Sequence, residues 1–162
     1  MEVTAPSSVE EALDHLQLGN ARLVAGGSAL QLEWAKGFAK PRHLVDISRI
    51  AGLKGISQTQ TGLRIGATTP LDEILQHADI AEKLPMLRMA TAKVAAPSVR
   101  NLATLGGNIA GRTGCVIPAL LCLDAWLDIA TGDGVSAKSL AEWLDTPARH
   151  DEMTIAIGLS TI

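Results

Sequence analysis

Two glycine pairs constrain this chain more than any other feature. One lies in Ala103-Thr104-Leu105-Gly106-Gly107-Asn108-Ile109-Ala110-Gly111-Arg112, with a hydroxyl before the pair and an amide after it. The other lies in Leu23-Val24-Ala25-Gly26-Gly27-Ser28-Ala29-Leu30, with a hydroxyl directly behind it. Glycine carries no Cβ, so its backbone can approach a ligand closely and turn its N–H groups toward it. Successive N–H groups in such a turn form an anion-binding concavity, and Thr and Asn side chains can add donors. A single Gly-Gly is as readily a buried turn. Two matched pairs, each with a hydroxyl, point to two loops gripping one diphosphate.

At 162 residues, 47% of them hydrophobic, the chain suits one domain or one domain of two small lobes. A net charge of −3 gives no basic surface for nucleic acid. No apolar run reaches membrane-spanning length, and Met1-Glu2-Val3-Thr4-Ala5-Pro6 lacks the basic and apolar regions of a signal peptide, so a soluble cytoplasmic protein is expected, without membrane contact. Cys115 and Cys122 are seven apart with no CxxC spacing and no neighbouring His; they read as a small loop residue and a core residue, and no metal site is expected. Tyrosine is absent and Phe38 is the one phenylalanine. A flat cofactor would therefore rest on aliphatic side chains, on Trp34, Trp126 or Trp143, or on a partner's surface. His77 and His150 sit beside acids in polar stretches, where solvated roles are commoner than catalysis.

Along the chain, Ser8 with Glu11 opens a helix in capping-box fashion, and Val9, Ala12, Leu13 and Leu16 give it one apolar face. The run 21–25 is a strand entering the first glycine loop, and Ser28 opens a helical stretch over 29–38 with Leu30, Trp34 and Phe38 a turn apart. Strand, loop and helix in that order aim N–H groups at an anion, although no GxGxxG is present. Residues 43–47 read as a strand, and 55–58 with 63–67 as a hairpin. Pro70 falls in the first turn of a helix with Leu71, Ile74 and Leu75 buried. A further helix runs from Pro85 to Val94, with Met86 and Met89 as core filler. After the second loop come a buried helix over 117–123, a strand over 125–131, a turn at Gly132-Asp133-Gly134, a returning strand, a helical turn over 140–144 and a last strand over 154–159. The order is mixed, hence α+β.

The two loops together resemble the FAD-binding medium subunit of molybdenum hydroxylases, of the xanthine dehydrogenase and carbon monoxide dehydrogenase type. His43-Leu44-Val45-Asp46-Ile47-Ser48, Leu63-Arg64-Ile65-Gly66-Ala67-Thr68-Thr69, Val99-Arg100-Asn101 and Pro118-Ala119-Leu120-Leu121-Cys122-Leu123-Asp124-Ala125 match the same family in the same order. The likeness is colinear over about 6–157. It implies a two-lobed fold of the molybdopterin dehydrogenase and vanillyl-alcohol-oxidase-like type, a small N-terminal lobe (1–54) beside a larger mixed lobe (55–162), with FAD extended between them. By that resemblance Leu23, Val24, Ala25, Gly26, Gly27, Ser28, Ala29 and Leu30 wrap the diphosphate from one side, and Thr104, Leu105, Gly106, Gly107 and Asn108 from the other. Val94 then falls near the flavin and Thr154 near the adenine. The implied role is electron transfer: a large molybdopterin-containing subunit oxidises a substrate, a small iron–sulfur subunit relays electrons to FAD, and NAD or another acceptor receives them.

Two departures from the family pattern stand out. The segment from Asn108 to Pro118 is about two residues short, and Gly111-Arg112-Thr113-Gly114-Cys115-Val116-Ile117 lacks the acid usual there. Arg112 offers a phosphate contact, a surface position or a subunit contact. The family's usual C-terminal flavoprotein domain has no counterpart in the 162 residues. A structural docking subunit that has lost FAD is therefore one alternative; a stand-alone FAD-dependent reductase is another, though no His, Glu or Cys constellation supports it.

Overall fold

The computed structural model describes residues 1–161. In chain order its elements are β1 (Glu2–Thr4), α1 (Val9–Leu16), β2 (Ala21–Val24), α2 (Ser28–Ala35), β3 (His43–Asp46), β4 (Ile56–Gln58), β5 (Gly62–Gly66), α3 (Leu71–Gln76), α4 (Ala78–Lys83), α5 (Pro85–Ala92), α6 (Pro97–Arg100), α7 (Leu105–Ala110), α8 (Ile117–Cys122), β6 (Trp126–Thr131), β7 (Gly134–Ser139), α9 (Leu140–Asp145) and β8 (Met153–Ser160). The mixture is α+β, as the sequence predicts.

The first three strands form a parallel sheet in the order β1-β3-β2. Parallel neighbours need a crossover, and α1 and α2 provide it. Ser8 caps α1 by accepting from the Glu11 amide (3.1 Å), while the Glu11 carboxylate reaches back to the Ser7 amide (2.7 Å). Val24 pairs with Asp46, so β2 and β3 end at one edge, and the first glycine pair leaves from that edge. Crevices beyond the carboxyl ends of parallel strands are where such folds take ligands.

The remaining strands form an antiparallel sheet in the order β4-β5-β8-β6-β7. The last strand thus lies in the middle. One face of this sheet packs Leu63, Ile65, Leu127, Ile129, Ile157 and Leu159 against α3, α5, α7, α8 and α9 to make the main core. A second core lies under the parallel sheet, where Ala12, Leu13, Leu16, Val45 and Ile47 meet Ile50, Leu53, Ala130 and Met153. Its last two members come from β6 and β8. The β6–β8 pairing shifts register between Asp128 and Ile129, which lets the two strands bend from one core to the other.

Several expectations are corrected. Met86 and Met89 are exposed, Met89 to 69%, because α5 buries Leu87 and Thr91 on the opposite face. Cys122 is exposed rather than core, as is Cys115, and α8 buries Ile117, Ala119 and Leu120 only. Helix α2 ends at Ala35, leaving Phe38 exposed beyond it. Pro70 is the N-cap of α3 with ψ 145°, one position before the helical turn. Helix α4 has no counterpart in the sequence reading. Among the described residues no helix is long and apolar enough to cross a membrane.

Candidate cofactor cleft

A cleft of about 190 Å³ opens between the two sheets. Leu23, Ala25 and Ile47 line it from the parallel sheet. Thr104, Gly106, Gly107, Ala110 and Arg112 line it from α7 and the turn behind, and Trp143, Arg149, Glu152, Met153 and Thr154 from α9 and the start of β8. The two glycine segments, some eighty residues apart, thus converge on one cleft. Small-molecule sites usually run from about 300 Å³ upward, so a dinucleotide seated here extends along the surface on both sides.

The two loops are built differently. In the first, a Cβ on Gly26 would overlap the carbonyl of Leu102, so this position is glycine because the second segment packs against it. Gly27 has φ +68° and caps α2, a left-handed conformation that suits glycine. The amides of Gly26, Gly27, Ser28, Ala29 and Leu30 donate to no acceptor among the described residues. Five successive unpaired N–H groups at the start of an eight-residue helix form an anion cradle of backbone alone.

The second loop is a helix rather than an open nest. Thr104 is the N-cap of α7, and its Oγ1 accepts from the Gly107 amide at 3.1 Å. The Leu105 amide donates to the Thr69 carbonyl (3.0 Å), Gly106 to Ala67 (2.8 Å) and Asn108 to Thr104 (2.9 Å). All four amides expected to face an anion are therefore used within the protein. A Cβ on Gly106 would stand 2.7 Å from the Ala67 carbonyl oxygen, so packing dictates that glycine too. Gly107 is exposed, and a Cβ there meets only the Thr104 hydroxyl, at 2.9 Å. Each pair thus has one glycine fitted to the protein backbone; of the other two, Gly27 is set by its positive φ and Gly107 lines the cleft. What α7 offers a ligand is a surface without side chains and the Thr104 hydroxyl proton, which remains free to donate.

Of the other sequence-derived positions, Leu23, Ala25 and Thr154 line the cleft. Val24 lies in β2, where its carbonyl accepts from the Ile47 amide. Leu30 and Leu105 are buried, and Ala29 is exposed. Asn108 turns away, its Oδ1 accepting from the Val116 amide at 3.2 Å to brace the turn after α7. Val94 is buried in the main core, and its carbonyl accepts from Arg100 Nη1 at 2.9 Å.

Sequence reasoning did not assemble the far wall. Ser139 and Glu142 form a full capping box that starts α9 and places Trp143, which is 6% exposed. Trp143 Nε1 donates to Glu152 Oε1 at 2.8 Å, and the Arg112 guanidinium lies 4.1 Å from its ring centroid. Arg149 pairs with Asp151 through Nε (2.9 Å) and Nη2 (2.6 Å), which holds the Asp151 carboxyl down at about 2 and raises the arginine. The Ser139-x-x-Glu142 spacing was the available signal.

A parallel sheet and an antiparallel sheet with a ligand-sized cleft between them make a domain of the α+β class. Residues 1–159 match the family described as the FAD binding domain in molybdopterin dehydrogenase, and the chain belongs to that family. It is 43% identical over 122 residues to the carbon monoxide dehydrogenase medium chain of Hydrogenophaga pseudoflava, covering 74% of this chain and 42% of that one. It is 34% identical over 144 residues to the xanthine dehydrogenase FAD-binding subunit of Escherichia coli, covering 84% and 49%. A solved carbon monoxide dehydrogenase from Hydrogenophaga pseudoflava, lacking the Mo-pyranopterin moiety of its molybdenum cofactor, superimposes with a TM-score of 0.94 at 30% identity, covering 100% of this chain and 59% of that one. The chain spans about half the length of the curated relatives it matches.

Proposed function

We propose that this chain is the FAD-carrying electron-transfer component of a molybdenum-containing hydroxylase. In this reading it works beside a molybdopterin-containing large subunit and an iron–sulfur small subunit, and passes electrons to NAD or another acceptor. The observation that carries the reading is the row of unpaired amides from Gly26 to Leu30, directly behind Leu23 and Ala25 of a cleft whose other wall is bare of side chains at Gly107. A diphosphate needs many short donors and little bulk, and this cradle supplies both.

FAD, when bound, supplies the redox chemistry that side chains lack. The chain's residues bind and orient. The amides of 26–30 and the Thr104 hydroxyl would take phosphate oxygens, Leu23, Ala25 and Ile47 would exclude water, and Trp143 stands in the cleft wall beneath the Arg112 guanidinium. Partners are supported by the names of the relatives, a medium chain and an FAD-binding subunit, each implying further subunits.

The internal pairing of the Leu105 to Asn108 amides favours a second reading, a docking subunit that keeps the fold and has lost FAD. Flavin absorbance of the protein purified with its partner subunits decides between them. Stoichiometric flavin supports the first; a colourless complex that stays so in excess FAD leaves only the second.

A further inference from the structure

The turn after α7 carries an arginine in an unusual setting. Arg112 has φ +58°, uncommon for a residue with a Cβ. That conformation sends its side chain across the cleft wall to α9. There Nη1 donates to the carbonyls of Leu144 (3.2 Å) and Thr146 (2.6 Å), at a helix end where a cation is favoured. Trp143 supports the guanidinium plane. Nε and Nη2 are buried and have no acceptor, and no carboxylate lies within ion-pairing distance of Arg112 among the described residues.

Those two nitrogens form one edge of the guanidinium, the fork that matches an oxyanion in two parallel hydrogen bonds. The other arginine of the cleft has this edge filled, since Arg149 presents Nε and Nη2 to Asp151. The acid in the cleft lining, Glu152, has one oxygen committed to Trp143. Bracing the turn against α9 needs Nη1 alone. A desolvated charged donor left without an acceptor is costly, and an oxyanion that reaches it is held strongly.

We infer that Arg112 is a diphosphate contact of the cleft, its Nε/Nη2 edge taking a phosphate oxygen of the bound dinucleotide. This rests on the reading that the cleft binds FAD. It makes Arg112 the cationic member of an otherwise neutral cradle, on the turn that lacks the acid usual in the family.

The test is the dissociation constant of FAD for the full chain as wild type, Arg112→Gln and Arg112→Lys, measured by flavin fluorescence across a salt series, with thermal unfolding of each apo-protein. Both variants should bind FAD at least about tenfold more weakly, the expected loss for a charge-assisted pair of bonds. Arg112→Gln should also flatten the salt dependence of binding, whereas Arg112→Lys keeps the charge and the slope but not the fork. Arg112→Lys decides alone if Arg112→Gln does not fold. FAD affinities within twofold of wild type overturn the inference and leave the FAD reading standing. So does a loss of equal size at every salt concentration in Arg112→Gln, the mark of a purely structural brace. A wild-type chain that binds no FAD overturns both.

Discussion

Gly26 lies directly against the backbone carbonyl of Leu102, so the two glycine segments touch one another through the protein itself. Gly106 makes the equivalent contact with Ala67. Neither backbone neighbour can swing aside as a side-chain tip could. Gly26→Ala and Gly106→Ala should each cost about 1–3 kcal/mol of unfolding free energy, as overpacking does. Gly107→Ala should stay within about 1 kcal/mol of wild type, because helical alanine offsets its one contact with Thr104. Urea denaturation of the three variants checks the contrast.

Gly107→Asp separates folding from binding. An acid in the first turn of a helix suits the helix dipole, so the variant should unfold close to wild type. Its carboxylate would enter the cleft that Gly107 lines. Flavin content should fall to near zero in the same preparation, read by visible absorbance; flavin retained at wild-type levels would place the diphosphate elsewhere.

Ser139→Ala removes the cap of α9, where Ser139 Oγ accepts from the Glu142 amide and the Glu142 carboxylate answers the Ser139 amide. The expected loss is about 1 kcal/mol. Because α9 carries Trp143, acrylamide quenching of that indole should rise in a Trp34→Phe, Trp126→Phe background.

The Arg149–Asp151 pair predicts an acid-dependent component of stability. The folded Asp151 carboxyl titrates at about 2, below its ordinary value of 3.8. Its contribution is present above pH 4 and is lost as pH falls toward 2. The difference in urea midpoint between wild type and Asp151→Asn should therefore shrink steadily over that window; both groups are surface-exposed, so the effect is small and salt-sensitive.

The strand entering the first glycine pair, the hairpin over β4 and β5, and the final strand were all legible from local patterns of apolar residues and turn residues. Helix α7 was not. Two adjacent glycines in six residues argue against a helix on propensity, and it forms because Thr104 caps it and Thr69 and Ala67 accept its first amides. These acceptors lie more than thirty residues away. Met86 and Met89 were placed inside by hydrophobicity alone, whereas the face of α5 is set by Leu87 and Thr91. The wall of Arg112, Trp143, Arg149 and Glu152 brings together turn, helix and strand from separate stretches, and no local pattern announces such a meeting.

The second core closes only when Ala130 and Met153 reach it, and Thr154, one residue on, completes the cleft. The N-terminal sheet is therefore made first on the ribosome and finished last. Residues 1–54 cut out by themselves should lack a closed interior and stay unfolded, and the domain should melt in a single transition. A cofactor seated along the seam then gains its hold on both sheets at once, so its binding energy raises the melting temperature of the whole domain rather than that of either half.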